Sequence, residues 1–572
     1  MLEKYPKFIT KMQCLFSPVI KLINYHNEIA KAGLGLTLIL TFLISCHLIF
    51  NLLILHKLHW DNPFIYLHYW LTKSVRNDYL TSLQQSLCGG GLITLFIILL
   101  FIKEKTPNIY GKALFATPSE IKKAGLYSHK GLKLGKAYGQ DLCLDGYEHT
   151  ILFAPTGTGK SLSFCVPNLF SWEESCIVSD IKLSLFDMTS GYRKSLGHEV
   201  YLWNPASPEG KTHCYNPLDI INDNPYTRID EIQKIASIFI PDNPKSEPIW
   251  QVQSRFLFVA LVLYILDTPG HPKTIGEVVR LVKSQSDFAK FVRDTINDRN
   301  DLDPLCKYNL MKFGELHEKT RLSILATFES YFELFDNPLI NAATSKSDFD
   351  IRNLRKKKMT LYIGITNDNI VRLSPLLSVF YQQTADVLTR KLPQNNEPYG
   401  VLFLMDEFSS LRRMESFHKN IGLFREYHLR ISIIIQELSQ LYDTYGRDGA
   451  KVFLNAKARI AFTQNDLETC EYLEKLLGNK TIKTRNISRR NGKNPDSTNS
   501  NHYHSMPLLS TQEIRLLSEK KSIIIIQGTK PIIANKLNLN NIVEFNKNPP
   551  LDVPISTISN HKELNYNFDN HI

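Results

Sequence analysis

The 572-residue sequence lacks the paired cysteines that build metal sites and disulfide frameworks. Its nine cysteines are scattered from Cys14 to Cys470, and no two of them form a Cys-x-x-Cys pair. This scatter excludes a zinc ribbon and a disulfide scaffold, and it favours a reduced, cytosolic setting for the bulk of the chain. The sequence also lacks an LSGGQ-like segment, which argues against a transporter of the ABC type.

Apolar residues and positive charge are abundant. Hydrophobic residues make up 43% of the sequence, which is enough for more than one domain with a buried core. The formal net charge of +11 suits either a nucleic acid or an anionic membrane surface as a partner, and it does not select between them.

Two long uncharged stretches near the amino end predict transmembrane helices at residues 32–56 and 79–102. Buried core helices are the alternative. A cleaved signal peptide is disfavoured, because the first apolar run begins some thirty residues into the chain and no small-residue cleavage site follows it. Lysines cluster in the tail 1–31 and after the second span, so both termini are predicted in the cytoplasm, with the loop 57–78 on the other side.

A glycine-rich segment that follows the apolar residues 151–153 predicts a phosphate-binding loop. Gly157 and Gly159 would let backbone N–H groups converge on the phosphates of ATP. Lys160 would reach the terminal phosphates, and the Ser161 hydroxyl would bind Mg²⁺. A glycine-rich turn without nucleotide is the alternative. The complete loop is Ala154, Pro155, Thr156, Gly157, Thr158, Gly159, Lys160 and Ser161, in which Ala154 replaces a frequent glycine.

Two later apolar segments predict the rest of a nucleotide site. Residues 401–405 run into Asp406 and Glu407. Asp406 would bind the ligands that surround the Mg²⁺ ion. Glu407 would act as the general base on the attacking water. Residues 431–435 end in Gln436, which would sense the γ-phosphate, although a polar residue capping a strand end fits the spacing equally well.

The long separation of Lys160 from Asp406 predicts an inserted domain within an α/β fold. A P-loop domain with a mostly parallel sheet would be assembled from residues 111–219 and 346–545. Between them, residues 220–345 contain little glycine and predict an all-α domain. The apolar run 256–266 is too short to span a membrane, so it predicts the central helix of a small bundle.

Two polar segments near the carboxyl end predict little regular structure. Residues 483–505 are rich in Asn, Ser and Arg, which indicates a solvated linker or, alternatively, a loop that contacts nucleic acid. The tail 546–572 is polar and contains proline, so it is predicted to be poorly ordered.

Many short motifs in a fixed order make the sequence resemble the TraG-like coupling proteins of conjugation and type IV secretion. The matches cover nearly the whole chain on both sides of the phosphate-binding loop. The sequence departs from the family at Leu183 and Ser184, where relatives often have Gly-Glu. The matching segments are residues 124–126, 131–135, 142–146, 166–169, 178–182, 191–193, 215–219, 375–377, 439–441, 445–446, 465–466 and 507–509, with Gln436.

The resemblance implies a hexameric RecA-fold ATPase in the bacterial inner membrane, with two spans and an all-α insert facing the cytosol. It would deliver relaxase-bound single-stranded DNA, protein effectors or both to the channel components of a type IV secretion system. It also implies that Arg425, nineteen residues after Asp406, reaches a neighbouring subunit's site as an arginine finger, with Arg430 as the fallback.

Two alternatives stay open at this point. An FtsK-like duplex translocase shares the same fold, but it would call for more spans and a carboxyl-terminal winged helix, and neither is evident in the sequence. A membrane substrate receptor that nucleotide merely stabilises, without significant turnover, is the alternative from a different class. A turnover assay distinguishes the receptor from an ATPase.

Overall fold

The computed structural model describes residues 109–243, 246–366, 368–489, 497–538 and 549–554, together with Ile44. Apart from Ile44, the predicted spans 32–56 and 79–102 and the loop 57–78 lie outside the described residues, as does most of the tail, so they stay predictions. The described residues belong to two compact units. The larger unit consists of Ala113–Ala116, Glu120–Asn479 and Met506–Ile572.

An eleven-stranded sheet forms the centre of the larger unit. In chain order the strands of the described residues are β1 (Leu132–Ala137), β2 (Gln140–Leu144), β3 (Thr150–Phe153), β4 (Ser175–Asp180), β5 (Glu199–Trp203), β6 (Met359–Gly364), β7 (Val401–Met405), β8 (Leu429–Ile435), β9 (Ala458–Ala461), β10 (Asn479–Arg489), β11 (Ser497–Pro507), β12 (Lys521–Ile526) and β13 (Ile532–Asn535). The order across the sheet is β2-β1-β13-β12-β9-β3-β8-β7-β4-β6-β5.

The pairing from β9 to β5 is parallel throughout, and the strands from β12 to β2 extend the sheet in antiparallel pairs. Every residue of β7 and β8 is buried. Strand β7 is apolar throughout, and β8 has Arg430 and Ser432 as its polar residues. Parallel strands covered on both faces have such largely apolar sequences, whereas a strand with one solvated face alternates. The prediction of an α/β fold with a mostly parallel sheet is confirmed.

Helices cover both faces of the sheet. Neighbouring residues of β3 point into different hydrophobic cores, with Ile151 and Phe153 in one core and Leu152 in the other. The helices are α1 (Pro118–Lys123), α2 (Val166–Ser171), α3 (Ser184–Ser195), α4 (Pro225–Phe239), α5 (Pro248–Asp267), α6 (Ile275–Lys283), α7 (Phe288–Asp298), α8 (Pro304–Glu315), α9 (Glu318–Phe332), α10 (Pro338–Ala343), α11 (Ile370–Thr389), α12 (Glu415–Phe424), α13 (Leu438–Leu454), α14 (Leu467–Leu477) and α15 (Thr511–Arg515).

The chain between β5 and β6 is helical and contains α4 to α10, with no strand among its described residues. Its longest helix, α5, packs against α4, α6, α8 and α9 and so lies at the centre of this helical group. Among the described residues, α5 is also the one helix whose length and mean hydropathy of 1.6 would suffice to cross a membrane. Because 61% of that apolar stretch is buried inside the protein, α5 fits the role of a core helix.

Strands β10 and β11 form a separate two-stranded sheet. Together they cover most of the polar segment 483–505, for which a solvated linker was the favoured interpretation. That interpretation is wrong for residues 483–489 and 497–505, because their backbone groups pair with each other. The contact with nucleic acid stays a prediction, and residues 490–496 lie outside the described chain.

Candidate functional site

The glycine-rich loop lies at the carboxyl end of β3 and leads directly into a helical turn, Ser161–Cys165, that continues as α2. Gly157 and Gly159 both have a φ of +82°, in the left-handed region that side chains rarely adopt. A Cβ atom at Gly157 would contact nothing, so the backbone conformation and not the available space requires glycine there. The loop therefore presents backbone N–H groups at the start of a helix, which is a favourable place for an anion.

Hydrogen bonds hold the loop at its start and in its middle. The Ala154 N–H donates to the Ile435 carbonyl at the end of β8, with an N–O distance of 2.8 Å. The Thr158 hydroxyl donates to the Pro155 carbonyl at 2.7 Å, and the Thr158 N–H donates to the same oxygen at 3.2 Å. Ala154 is fully buried, so a small side chain suits this first position of the loop.

Lys160 reaches the two acidic residues that follow β7. Its ammonium lies 2.9 Å from Asp406 Oδ1 and also forms a short hydrogen bond with Glu407 Oε1. All three side chains are at most 16% exposed. Burial lowers the pKa of Lys160, but attraction to Asp406 and the hydrogen bond with Glu407 outweigh burial, so this pKa lies above its ordinary value.

Glu407 stands on a strained backbone directly after Asp406. Its φ of 50° lies in the left-handed region, and its N–H donates to Asp406 Oδ1 at 3.1 Å. A non-glycine residue in this region costs on the order of 1 kcal/mol and is common where a side chain must be aimed at a functional site. The turn directs the Glu407 carboxylate towards Lys160.

Gln436 links the phosphate-binding loop to the acidic pair, Asp406 and Glu407. Strand β8 lies between β3 and β7, so its carboxyl end is placed between the loop and the acidic pair. The Gln436 amide donates to Glu407 Oε1 at 2.9 Å and accepts from the Thr156 hydroxyl at 3.2 Å. Its backbone N–H donates to Gln440 Oε1 at 3.1 Å, which fixes the residue further.

Gln440 is a member of this network that was not predicted as a site residue. Its side-chain oxygen accepts from the Gln436 N–H and from the Ser409 hydroxyl, which lies just after the acidic pair. The available signal was its place in the family motif at residues 439–441.

Asp180, in another family motif, has a structural role. Its carboxylate accepts a hydrogen bond from the Phe186 N–H at 2.7 Å and anchors the start of α3.

The structure does not bring Arg425 to the Lys160 of its own chain. Arg425 precedes β8, at the amino ends of the parallel strands, where its guanidinium pairs with Glu148 at 2.8 Å. The loop and the acidic pair lie at the opposite edge of the sheet. Strand β8 has seven residues, so about 20 Å of strand separates the two edges at roughly 3.3 Å per residue. The Arg425 side chain is 59% exposed.

The fallback assignment of Arg430 as an arginine finger is wrong. Arg430 lies within β8 and its side chain is fully buried. Its two terminal nitrogens donate to the carbonyls of Leu144 and Asp145 at 2.9 and 3.0 Å, and its guanidinium lies over the Trp172 ring. A side chain held in this way binds its own chain and cannot reach a neighbouring subunit.

Sequence comparisons relate the chain to proteins of conjugation and type IV secretion. Residues 114–541 match the family described as Type IV secretory system Conjugative DNA transfer. Protein VirD4 of Rhizobium rhizogenes is 31% identical over 467 residues, which cover 79% of this chain and 69% of that protein. The conjugal transfer protein TraG of Escherichia coli is 29% identical over 358 residues, which cover 59% of this chain and 56% of TraG.

Solved structures share the fold. The unbound bacterial conjugative coupling protein TrwBdeltaN70 superimposes with a TM-score of 0.55 at 16% identity, covering 76% of this chain and 94% of the TrwBdeltaN70 chain. TrwB in complex with the ATP analogue ADPNP gives a TM-score of 0.55 at 15% identity, covering 76% and 95% of the two chains. TrwB in complex with ADP and Mg²⁺ gives 0.54 at 15% identity, with 75% and 95% covered.

Proposed function

Because the chain belongs to the type IV secretion coupling-protein family that includes VirD4 and TraG, we propose that it is a RecA-like ATPase that delivers macromolecules to a type IV secretion channel. Its substrates would be relaxase-bound single-stranded DNA, protein effectors or both. We propose that two amino-terminal spans hold it in the bacterial inner membrane as a multi-pass protein with both termini in the cytoplasm. The subunits would assemble into a homo-hexamer.

One observation carries the ATPase assignment: the loop, the acidic pair and Gln436 form one connected network at one edge of the sheet. Lys160 contacts Asp406 and Glu407, and Gln436 contacts Glu407 and Thr156. The related TrwB structures with ADPNP and with ADP and Mg²⁺ support nucleotide and Mg²⁺ as ligands of the same fold.

The residues around Lys160 fit Mg²⁺ as well as nucleotide. Ser161 adjoins Lys160 in the chain, and the Asp406 carboxylate lies 2.9 Å from the Lys160 ammonium, so both residues that would serve Mg²⁺ are neighbours of Lys160. The described residues contain no cluster of three His, Cys, Asp or Glu side chains for a metal ion. A P-loop site needs no such cluster, because phosphate oxygens complete the coordination. Bound there, Mg²⁺ would neutralise charge on the phosphate oxygens.

Each residue of the network has a distinct task in this proposal. Lys160 neutralises the charge of the terminal phosphates, and the loop N–H groups hold them in place. Glu407 accepts the proton of the attacking water. Gln436 orients the Glu407 carboxylate through their hydrogen bond and would contact the γ-phosphate. Arg425 would supply a cation to the site of a neighbouring subunit, for which its exposure and its distance from its own Lys160 give support.

Replacing Lys160 by alanine tests the ATPase proposal. We expect Lys160→Ala to abolish ATP hydrolysis, because the charge that binds the terminal phosphates is lost, while the protein folds and stays in the membrane fraction. Lys211→Ala is the matched control, since Lys211 also pairs with a carboxylate but lies on the surface, 55% exposed. Near-normal hydrolysis by Lys160→Ala would refute the assignment, and a wild-type protein that binds ATP without turnover would support the receptor alternative.

A further inference from the structure

Lys536 contacts the middle of the phosphate-binding loop. It follows β13, and its ammonium donates to the Thr158 carbonyl in the middle of the loop at 2.7 Å. The ammonium lies 3.9 Å from the centre of the Phe462 ring. The backbone holds this position, because the Lys536 N–H donates to the Lys520 carbonyl at 2.8 Å.

The Phe462 ring, which contacts the Lys536 ammonium, is buried and its backbone is hydrogen-bonded. Phe462 is 2% exposed, and its N–H donates to the Phe153 carbonyl at 3.0 Å, directly before the loop begins. An aromatic face within about 6 Å attracts an ammonium and disfavours other positions of it. Lys536 is therefore held between an aromatic ring and a loop carbonyl, and its place does not depend on a mobile surface contact.

No carboxylate pairs with the Lys536 ammonium among the residues that the structure describes. Burial lowers the pKa of Lys536 to about 8, and Glu519, in the turn before β12, is the charged group that partly offsets this effect. Lys160 differs, because two carboxylates contact it and keep its pKa above the ordinary value.

We propose that Lys536 is a positioning residue of the nucleotide site, which fixes the middle of the phosphate-binding loop and adds a second positive charge beside the phosphates. The inference rests on the proposed nucleotide binding by this loop. The carbonyl that Lys536 binds belongs to the peptide group that carries the Gly159 N–H. A cation on the oxygen of a peptide group polarises it and strengthens the N–H as a donor. Lys536 thus acts on the phosphates through the loop.

The proposal predicts a pH dependence of nucleotide affinity. Phosphates near the ammonium favour its charged form, so binding raises the pKa of Lys536 above its value in the free protein. Affinity is then constant below about pH 8 and falls by up to about tenfold per pH unit above it, until the pKa of the bound state is reached. Lys160 does not contribute in this range, because its pKa lies above its ordinary value.

The test is ADP binding to the full-length protein in detergent, measured calorimetrically at about pH 7 and about pH 9. Lys536→Met keeps an unbranched side chain of nearly the same length and removes the charge, and we expect it to weaken binding on the order of tenfold at the lower pH. Lys536→Arg keeps a charge that does not titrate in this range, so it should bind well at both pH values. Lys530→Met is the control, because Lys530 lies just before β13 but pairs with Glu120.

Three results would overturn the inference: wild-type affinity in Lys536→Met at the lower pH, an equal fall with pH in wild type and Lys536→Arg, or no ADP binding by the wild-type protein. The last result would also refute the proposed function. Loss of binding in Lys160→Ala with full binding in Lys536→Met would refute this inference alone. If Lys536→Met does not fold, the different pH profiles of wild type and Lys536→Arg decide.

Discussion

At the scale of a single residue, hydrogen bonds from two neighbours fix the carboxylate of Glu407, which we propose as the general base. Its carboxylate receives hydrogen bonds from Lys160 and Gln436 on the same oxygen, and its backbone adopts a left-handed conformation. Removing the carboxylate charge while keeping the shape therefore separates chemistry from binding. We expect Glu407→Gln to bind ATP with near wild-type affinity and to hydrolyse it about 10²–10⁴ times more slowly, because an amide cannot accept the proton of water.

Binding affinity and single-turnover hydrolysis, measured on the same preparation, check this expectation. Loss of affinity in parallel with hydrolysis would show that Glu407 supports the loop and is not the base. Lys160→Ala provides the contrast, since its defect should include binding.

Arg193 shows that a residue in a family motif can be structural. It is fully buried without a carboxylate partner in the described structure, and burial lowers its pKa. Its guanidinium donates to the carbonyls of Leu169, Trp172 and Glu174, to the Thr360 hydroxyl and to the His198 ring. These bonds tie the chain between α2 and β4 to α3 and β6.

Replacing Arg193 tests this structural role. We expect Arg193→Met to lower the free energy of unfolding by about 2–4 kcal/mol, because several buried carbonyls lose their donor. Thermal and denaturant unfolding measure the change. Arg352→Met is the control, since Arg352 pairs with Asp350 but is 52% exposed, and its loss should cost at most about 0.5 kcal/mol. Equal stability of the two variants would contradict the assignment.

At the scale of elements, the sequence predicts well those strands that are buried on both faces. Residues 401–405 are all apolar and residues 431–435 are apolar except for Ser432, and the structure has β7 and β8 there, with Asp406 and Gln436 at their ends. The sheet extension is harder to predict. Strand β13 has four residues, and its partner β1 is almost 400 residues earlier in the chain, so no local pattern indicates their pairing. Lys536 was missed for a similar reason, because the pairing of β13 with β12, of β12 with β9 and of β9 with β3 brings it to a loop that lies far away in the chain.

The linker prediction for residues 483–505 was wrong for a different reason. Its composition is polar, and solvated linkers have the same composition. The regular structure of β10 and β11 comes from backbone hydrogen bonds between the two strands and not from an apolar face, so hydrophobic periodicity gives no signal. By contrast, α5 was predicted from its apolar core, although the observed helix is longer, since it includes the buried polar residues Gln251 and Ser254.

At the scale of the whole molecule, the phosphate-binding loop and Arg425 lie at opposite ends of the parallel strands of one subunit. The carboxyl edge carries the loop, Asp406 and Glu407, and the amino edge carries Arg425 beside Glu148. A closed ring built from head-to-tail interfaces joins two different surfaces of neighbouring subunits, so the end that carries Arg425 could face the loop of the next subunit. We propose that the Arg425 guanidinium leaves Glu148 and completes the neighbour's site, which would make hydrolysis depend on assembly.

Mixing two inactive variants tests this dependence. Arg425→Ala subunits keep an intact loop and acidic pair but lack the finger, and Lys160→Ala subunits keep the finger but lack the loop lysine. In rings formed at equal ratio, roughly one quarter of the interfaces join an intact site to an intact finger, so hydrolysis should partly return. Two affinity tags, one on each variant, show by sequential purification that the measured rings contain both subunits.

The decisive control mixes Lys160→Ala with Glu407→Gln. Lys160 and Glu407 contact each other within one subunit, so no arrangement of these two variants restores an intact site. The mixture should therefore not hydrolyse ATP. Recovery in the first mixture and silence in the second can be explained only by a residue that acts across a subunit boundary. Mixed rings of Arg425→Ala and Lys160→Ala that stay silent at every ratio, or normal hydrolysis by Arg425→Ala alone, would refute the role of Arg425 in trans. Because Arg430 is buried and bonded to its own chain, it could not take over that role.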